Sequence, residues 1–217
     1  MALSPVELCL GFVPGDEVGL VAEALGSDGA VLATGTWTAS SGAPLCGVLD
    51  EFLGALDAVA HTVRVIPASG LVAVGTAGEP VHPVLVGPST ATEPDAGWLT
   101  GRLPGGVGDW VAAVGSAPSS AWMLAKLSWL HRSDTAAWEA MAAALTPAAW
   151  LVRSLTGRAV TTESDAAATG CWNAGGWRYD LLAVVDGARD WTEALPAVAD
   201  PDVAAVGAWR SAAVVVG

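Results

Sequence analysis

The feature that most constrains the fold is a change of hydrophobic period near residue 45. Before it, residues 6–13, 18–25 and 30–38 read as three strands, separated by turn signals at Pro14-Gly15-Asp16 and Gly26-Ser27-Asp28-Gly29. After it, Leu45, Val48, Leu49, Phe52, Leu53, Leu56 and Val59 recur at helical spacing. Residues 62–74 then return to strand-like composition. The order βββαβ specifies an α/β domain that opens with a meander.

The 217 residues are enough for one sizeable core. A composition of 53% hydrophobic and 14% charged residues excludes a disordered chain. It does not supply a membrane span, because Glu139, Pro147, Arg153 and glycines interrupt the apolar stretches before the roughly 18–20 residues a crossing needs. Residues 1–5 lack the basic flank of a secretory signal, so the expected location is the cytoplasm. Nine basic against 22 acidic residues give a formal charge of −13, which repels nucleic-acid phosphates and anionic membranes. Lys126 is the only lysine, so no cluster of amines can hold a polyphosphate. Cys9, Cys46 and Cys171 are odd in number and far apart, and read as structural thiols rather than a disulfide or zinc set.

Residues 75–118, rich in Gly, Pro, Ser and Thr, read as an irregular, solvated excursion, and residues 119–170 as a helical part. Ser119 or Ser120 is the expected cap of a helix carrying Trp122, Leu124, Leu127 and Leu130, and Asp134 that of a second carrying Trp138. Thr146, Pro147 and Gly157 bracket a third. Tryptophans at this spacing are expected in the core. Gly105-Gly106-Val107-Gly108 follows no strong strand and reads as punctuation rather than a phosphate cradle. His61, His82 and His131 have no metal-ligand spacing, and Asp165 is expected to cap a helix after Ser164.

The stretch from Trp122 to Gly170 resembles the middle of the N-terminal domain of FGGY-type carbohydrate kinases, closest to xylulokinases. The resemblance rests on Lys126, Trp129, Pro147, Leu155-Thr156-Gly157, Thr161 or Thr162, and Ser164-Asp165-Ala166, in that order. Ile66-Pro67-Ala68-Ser69-Gly70 is similar to the strand end that precedes the family's sugar-contact segment. It implies a ribonuclease-H-like domain of the actin, Hsp70 and sugar-kinase superfamily, a mixed sheet flanked by helices, although other α/β domains also open as βββαβ. It further implies ATP and magnesium as the family's cofactors, although none is expected for this chain by itself, a sugar or polyol as ligand, and a second kinase domain that is absent from these residues.

Where the family carries Asp-x-Gly-Thr, this chain has Val13-Pro14-Gly15-Asp16, so Gly15 and Asp16 are the residues left for a cofactor role. A valine does not coordinate a hard cation and a proline removes an amide donor. Ser69, Gly70 and Ser89 are the remaining candidates for substrate contact, because Leu71-Val72-Ala73 and residues 87–91 replace the family's polar runs. The family's catalytic aspartate has no counterpart among these residues, and no catalytic or metal-binding residue is assigned. The expectation is a kinase lobe that is inactive alone, with three roles open: a lobe completed by a partner, a non-catalytic sugar-binding or regulatory module, or a self-associating homodimer.

Overall fold

The computed structural model describes residues 3–14, 18–38, 45–200 and 205–217. The meander is present as β1 (Ser4–Val13), β2 (Gly19–Leu25) and β3 (Val31–Thr38), followed by α1 (Leu45–Ala55) and β4 (Ala58–Val65). The strand-like run after α1 is two strands, because Pro67 lies in a break that turns the chain out of the sheet before β5 (Gly70–Val74). The remaining elements are β6 (Leu85–Val86), α2 (Glu93–Thr100), α3 (Val107–Val114), α4 (Met123–Ser133), α5 (Thr135–Ala140), β7 (Ala143–Leu145) and α6 (Pro147–Thr156). They continue through β8 (Val160–Thr161), α7 (Glu163–Ala167), β9 (Trp172–Asn173), β10 (Gly176–Trp177), α8 (Tyr179–Leu182), β11 (Ala197–Val198), β12 (Gly207–Trp209) and β13 (Ala212–Val216).

The main sheet has six strands in the order β12-β13-β4-β1-β2-β3. Its centre is parallel, β1 with β4 and β4 with β13, while β2, β3 and β12 run antiparallel to their neighbours. This is the ribonuclease-H-like arrangement expected from the sequence, a mixed sheet with flanking helices. Val6, Leu8, Leu10, Leu20, Ala22, Val63, Val65 and Val214 form its buried face, packed with Leu49 and Leu53 of α1 and Leu151, Val152 and Leu155 of α6.

Strand β5 lies outside that sheet, antiparallel to both β6 and β7. Every residue in it is buried. Val72 and Val74 join the first core, whereas Leu71 and Ala73 join a second built from α2, α4, α5 and α8 around Trp110, Trp122, Met123, Leu127 and Trp138. Of the tryptophans in the helical part, Trp122 and Trp138 are core, as expected, while Trp129 and Trp150 are partly buried at its edge. Residues 75–118 are more ordered than a solvated excursion: they contain α2 and α3, and the Trp110 indole donates to the Leu99 carbonyl at 2.8 Å. Each of these helices has only eight residues, too few for a clear repeat, and their order comes from packing, α2 on α4 and Trp110 of α3 against Trp122 at 5.8 Å between ring centres.

Local capping follows the sequence at two helices. Asp134 accepts from the Ala137 amide at 3.0 Å, and Thr146 from the Ala149 amide at 3.1 Å, with Gly157 left-handed at φ 77°. Two other expectations fail. The cap position of α4 is Trp122, and Ser119 instead accepts from Ala121 in a turn one step earlier. Asp165 lies inside α7, whose cap is Thr162.

The Asp165 carboxylate is buried and accepts from the hydroxyls of Thr146 and Thr161, each at 2.5 Å. It thereby joins the start of α6, strand β8 and helix α7. Burial raises its pKa, and the two hydroxyls oppose that shift. Truncation to Asp165→Ala leaves two buried hydroxyls without their acceptor and is expected to lower the unfolding free energy by about 2–4 kcal/mol in chemical denaturation. Asp165→Asn retains an acceptor and is expected to lose less than half of that. A raised folded-state pKa contributes stability at low pH that disappears as pH rises through it. The Asn variant should therefore gain on the native protein over that rise.

Candidate functional site

The three parallel strands β1, β4 and β13 end on the same side of the sheet, at Val13, Val65 and Val216, and the Gly217 amide donates to the Val65 carbonyl. In open α/β sheets this is the side on which ligands bind. Gly15 and Asp16, the candidates for cofactor contact, lie outside the described residues; Val13 before them is paired with Gly19. From β4 the chain continues through Ile66-Pro67-Ala68 to Ser69 and Gly70, which carries these residues from the carboxyl end of the main sheet into β5.

Ser69, Gly70 and Ser89, separated in sequence, come together in one corner. Gly70 pairs with Val86, and the Gly87 amide donates to the Ser69 carbonyl at 2.8 Å. A side chain at Gly70 would stand 2.2 Å from the Leu85 carbonyl oxygen and 2.9 Å from Pro147, so glycine is required by the close approach of β6 and α6. Ser89 begins a turn: its hydroxyl accepts from the Ala91 amide at 3.2 Å, and its carbonyl from the Thr92 amide at 3.1 Å.

This corner is held against α4 by polar ties. Lys126 is fully buried, and its ammonium donates to the carbonyls of Gly87 at 2.7 Å and Ser120 at 2.6 Å. The Thr92 hydroxyl also reaches the Ser120 carbonyl, at 2.8 Å. One turn on, buried Asp95 accepts from Ser128 at 2.9 Å and Arg132 at 2.8 Å. Lys126, Ser128 and Arg132 all project from one helix, which fixes the loop and the start of α2 in place. Lys126 was visible in the sequence as the sole lysine, but its role as a tether was not. The signal was a cation among Leu124, Leu127 and Leu130, which demands buried acceptors.

The corner offers small hydroxyls and backbone groups. Beside it Leu71, Val72 and Ala73 are 1%, 0% and 2% exposed, so these positions face the cores rather than a ligand. The glycine-rich turn at 105–108 is likewise occupied internally, since the Gly105 amide donates to the Asp109 carboxylate at 2.7 Å. Among the described residues no group of three His, Cys, Asp or Glu is placed to hold a metal ion. His82 contacts Trp129 and His131 stacks on Trp138. Cys171 is buried, and burial raises its thiol pKa to about 12. No described helix is long and apolar enough to cross a membrane.

No protein-family model matches the chain. Over 111 residues, 51% of its length, it is 35% identical to the xylulose kinase of Streptomyces coelicolor, and 34% identical to that of Streptomyces rubiginosus. Over that half of its length the chain is similar to xylulose kinases. The matched segment spans only 23% of either enzyme. Among solved structures, the xylulose kinase of Bifidobacterium adolescentis superposes with a TM-score of 0.72 at 21% identity, over 97% of this chain and 52% of that one. The glycerol kinase of Plasmodium falciparum gives 0.72 at 10% identity, over 100% and 49%. At such identities the likeness is one of fold, and this carbohydrate-kinase-like chain spans about half of each neighbour.

Two substitutions examine the corner. Gly70→Ala is expected to lower the unfolding free energy by about 2–4 kcal/mol, because the contact is with backbone. Burial lowers the Lys126 pKa from 10.5 to about 8. Between those values the unfolded chain binds the extra proton, so this group makes stability rise with pH. The native protein should therefore gain on Lys126→Met from pH 8 to 10.5 in parallel denaturation curves.

Proposed function

We propose that these residues form the sugar-side lobe of an ATP- and magnesium-dependent carbohydrate kinase of the xylulose type, located in the cytoplasm, and that this lobe alone transfers no phosphoryl group. The reading is supported by β5: Ser69 and Gly70 pair with residues 86–87, two residues before Ser89, while the neighbouring positions 71–73 are apolar and buried in two cores.

Polyol recognition depends on hydrogen bonds to several hydroxyls, and each one lost costs about 1–3 kcal/mol. Phosphoryl transfer requires a nucleophile positioned against a metal-bound triphosphate. The corner supplies neither a carboxylate to orient the hydroxyl nor a charged group for the phosphates, since Asp95 is already paired with Arg132 and Lys126 with two carbonyls. ATP, magnesium and a second kinase lobe enter the proposal through kinship with xylulose kinases. The alternative favoured by the same strand is a non-catalytic module that keeps the frame for binding or regulation.

Calorimetric titration of the purified chain with D-xylulose is expected to give no saturable heat, and a coupled assay with ATP and magnesium no release of ADP. Saturable sugar binding would overturn the loss of polyol contacts and support the binding module. Sugar-dependent ADP release would overturn the inactive reading altogether.

A further inference from the structure

At the amino end of the main sheet, where β1 and β4 start side by side at Ser4 and Ala58, the chain encloses a cavity of about 350 Å³. Leu53, Ala60 and Trp209 supply apolar wall, and the charged side chains are Asp50 of α1, Asp57 of the α1–β4 turn and Arg210 of the β12–β13 turn. A volume of this order is that of a small-molecule site, with room for roughly ten heavy atoms at the ~30 Å³ each takes in a liquid. The Ser69–Gly70 corner and Gly217 lie beyond the opposite, carboxyl end of these strands.

Backbone conformation singles out the same cavity. Among the described residues, Asp57 and Arg210 are the two non-glycine residues with a left-handed φ, 49° and 53°, a region where glycine is the ordinary choice. Both line this cavity. The Asp57 amide donates to the Gly54 carbonyl at 3.3 Å and its carbonyl accepts from the Ser4 amide at 3.1 Å, while Arg210 donates to Asp50 at 2.5 Å across 160 positions of sequence. Residues held in such conformations by their surroundings cluster at ligand clamps.

The charges divide into a satisfied pair and an unsatisfied group. Arg210 is matched by Asp50, and its guanidinium lies 5.6 Å from the centre of the Trp209 ring. Among the described residues the exposed Asp57 carboxylate has neither an ion pair nor a hydrogen bond. Beside it, Leu53 and Gly54 belong to the last turn of α1, which holds no basic residue and whose carbonyl end carries partial negative charge.

We infer that this cavity binds a small organic cation, a primary ammonium held between Asp57 and the carbonyl end of α1 on an apolar body seated against Leu53, Ala60 and Trp209. Arg210, fixed by Asp50, closes the wall opposite Asp57 and leaves that carboxylate to the ligand.

Calorimetric titration of the protein with benzylammonium at low salt is expected to show saturable binding with a dissociation constant of about 1 mM, at least tenfold tighter than for benzyl alcohol or benzoate, which keep the apolar body without the positive charge. Asp57→Asn and Asp57→Gly should each weaken binding tenfold or more. Glycine takes the left-handed conformation freely, so Asp57→Gly should also keep or raise the denaturation midpoint, which separates loss of the site from loss of the fold. Glu51→Gln, at an exposed acid of α1 outside the cavity, should leave the affinity unchanged. No saturation at tenfold higher concentration, equal binding of the three probes, or affinity retained in Asp57→Gly would each overturn the inference. An equal loss in Glu51→Gln would assign the effect to overall charge and overturn it as well.

Discussion

Strand β5 is the element on which the rest of the structure depends, because its five residues serve two cores at once. Val72 and Val74 face the core beneath the main sheet, and Leu71 and Ala73 face the core of the helical part. Full burial of such side chains contributes about 1.5–3 kcal/mol each for the larger ones, so this short strand couples the two halves energetically. The same burial decides what the neighbouring corner can bind. A polar group at 71–73 would have to find a partner inside a core or remain unpaired at a cost of about 1–3 kcal/mol.

Polar groups inside the structure act as ties rather than as reagents. Lys126, Asp95 and Asp165 are buried, and each is matched by specific partners: two carbonyls, a serine with an arginine, and two threonines. Each tie joins segments that are distant in sequence, the loop at 87–92 to α4 in one case and β8 to the start of α6 in another. Such arrangements are costly when half complete and rigid when satisfied. A corner built in this way is held in shape by its own ties to α4.

The main sheet draws its packing from the described helices α1 and α6. Its parallel centre is shielded from one side by α1 and α6, and its other side is open among the described elements.

Much of the local architecture was legible from residues alone. The three opening strands, α1, the caps at Asp134 and Thr146 and the stop at Gly157 depend on alternation, helical spacing or a side chain reaching an amide three residues on. Such signals are complete within a short stretch of chain. The tertiary structure alone decided that residues 62–74 divide between two sheets, that Asp165 ties Thr146 to Thr161 instead of capping, that Lys126 spans Gly87 and Ser120, and that Ser69 pairs with Gly87. Each of these is fixed by partners that lie elsewhere in the chain and become neighbours only when the two cores close around β5. The physical reason is burial: inside a core every polar group must find a partner, and the fold rather than the local sequence supplies it.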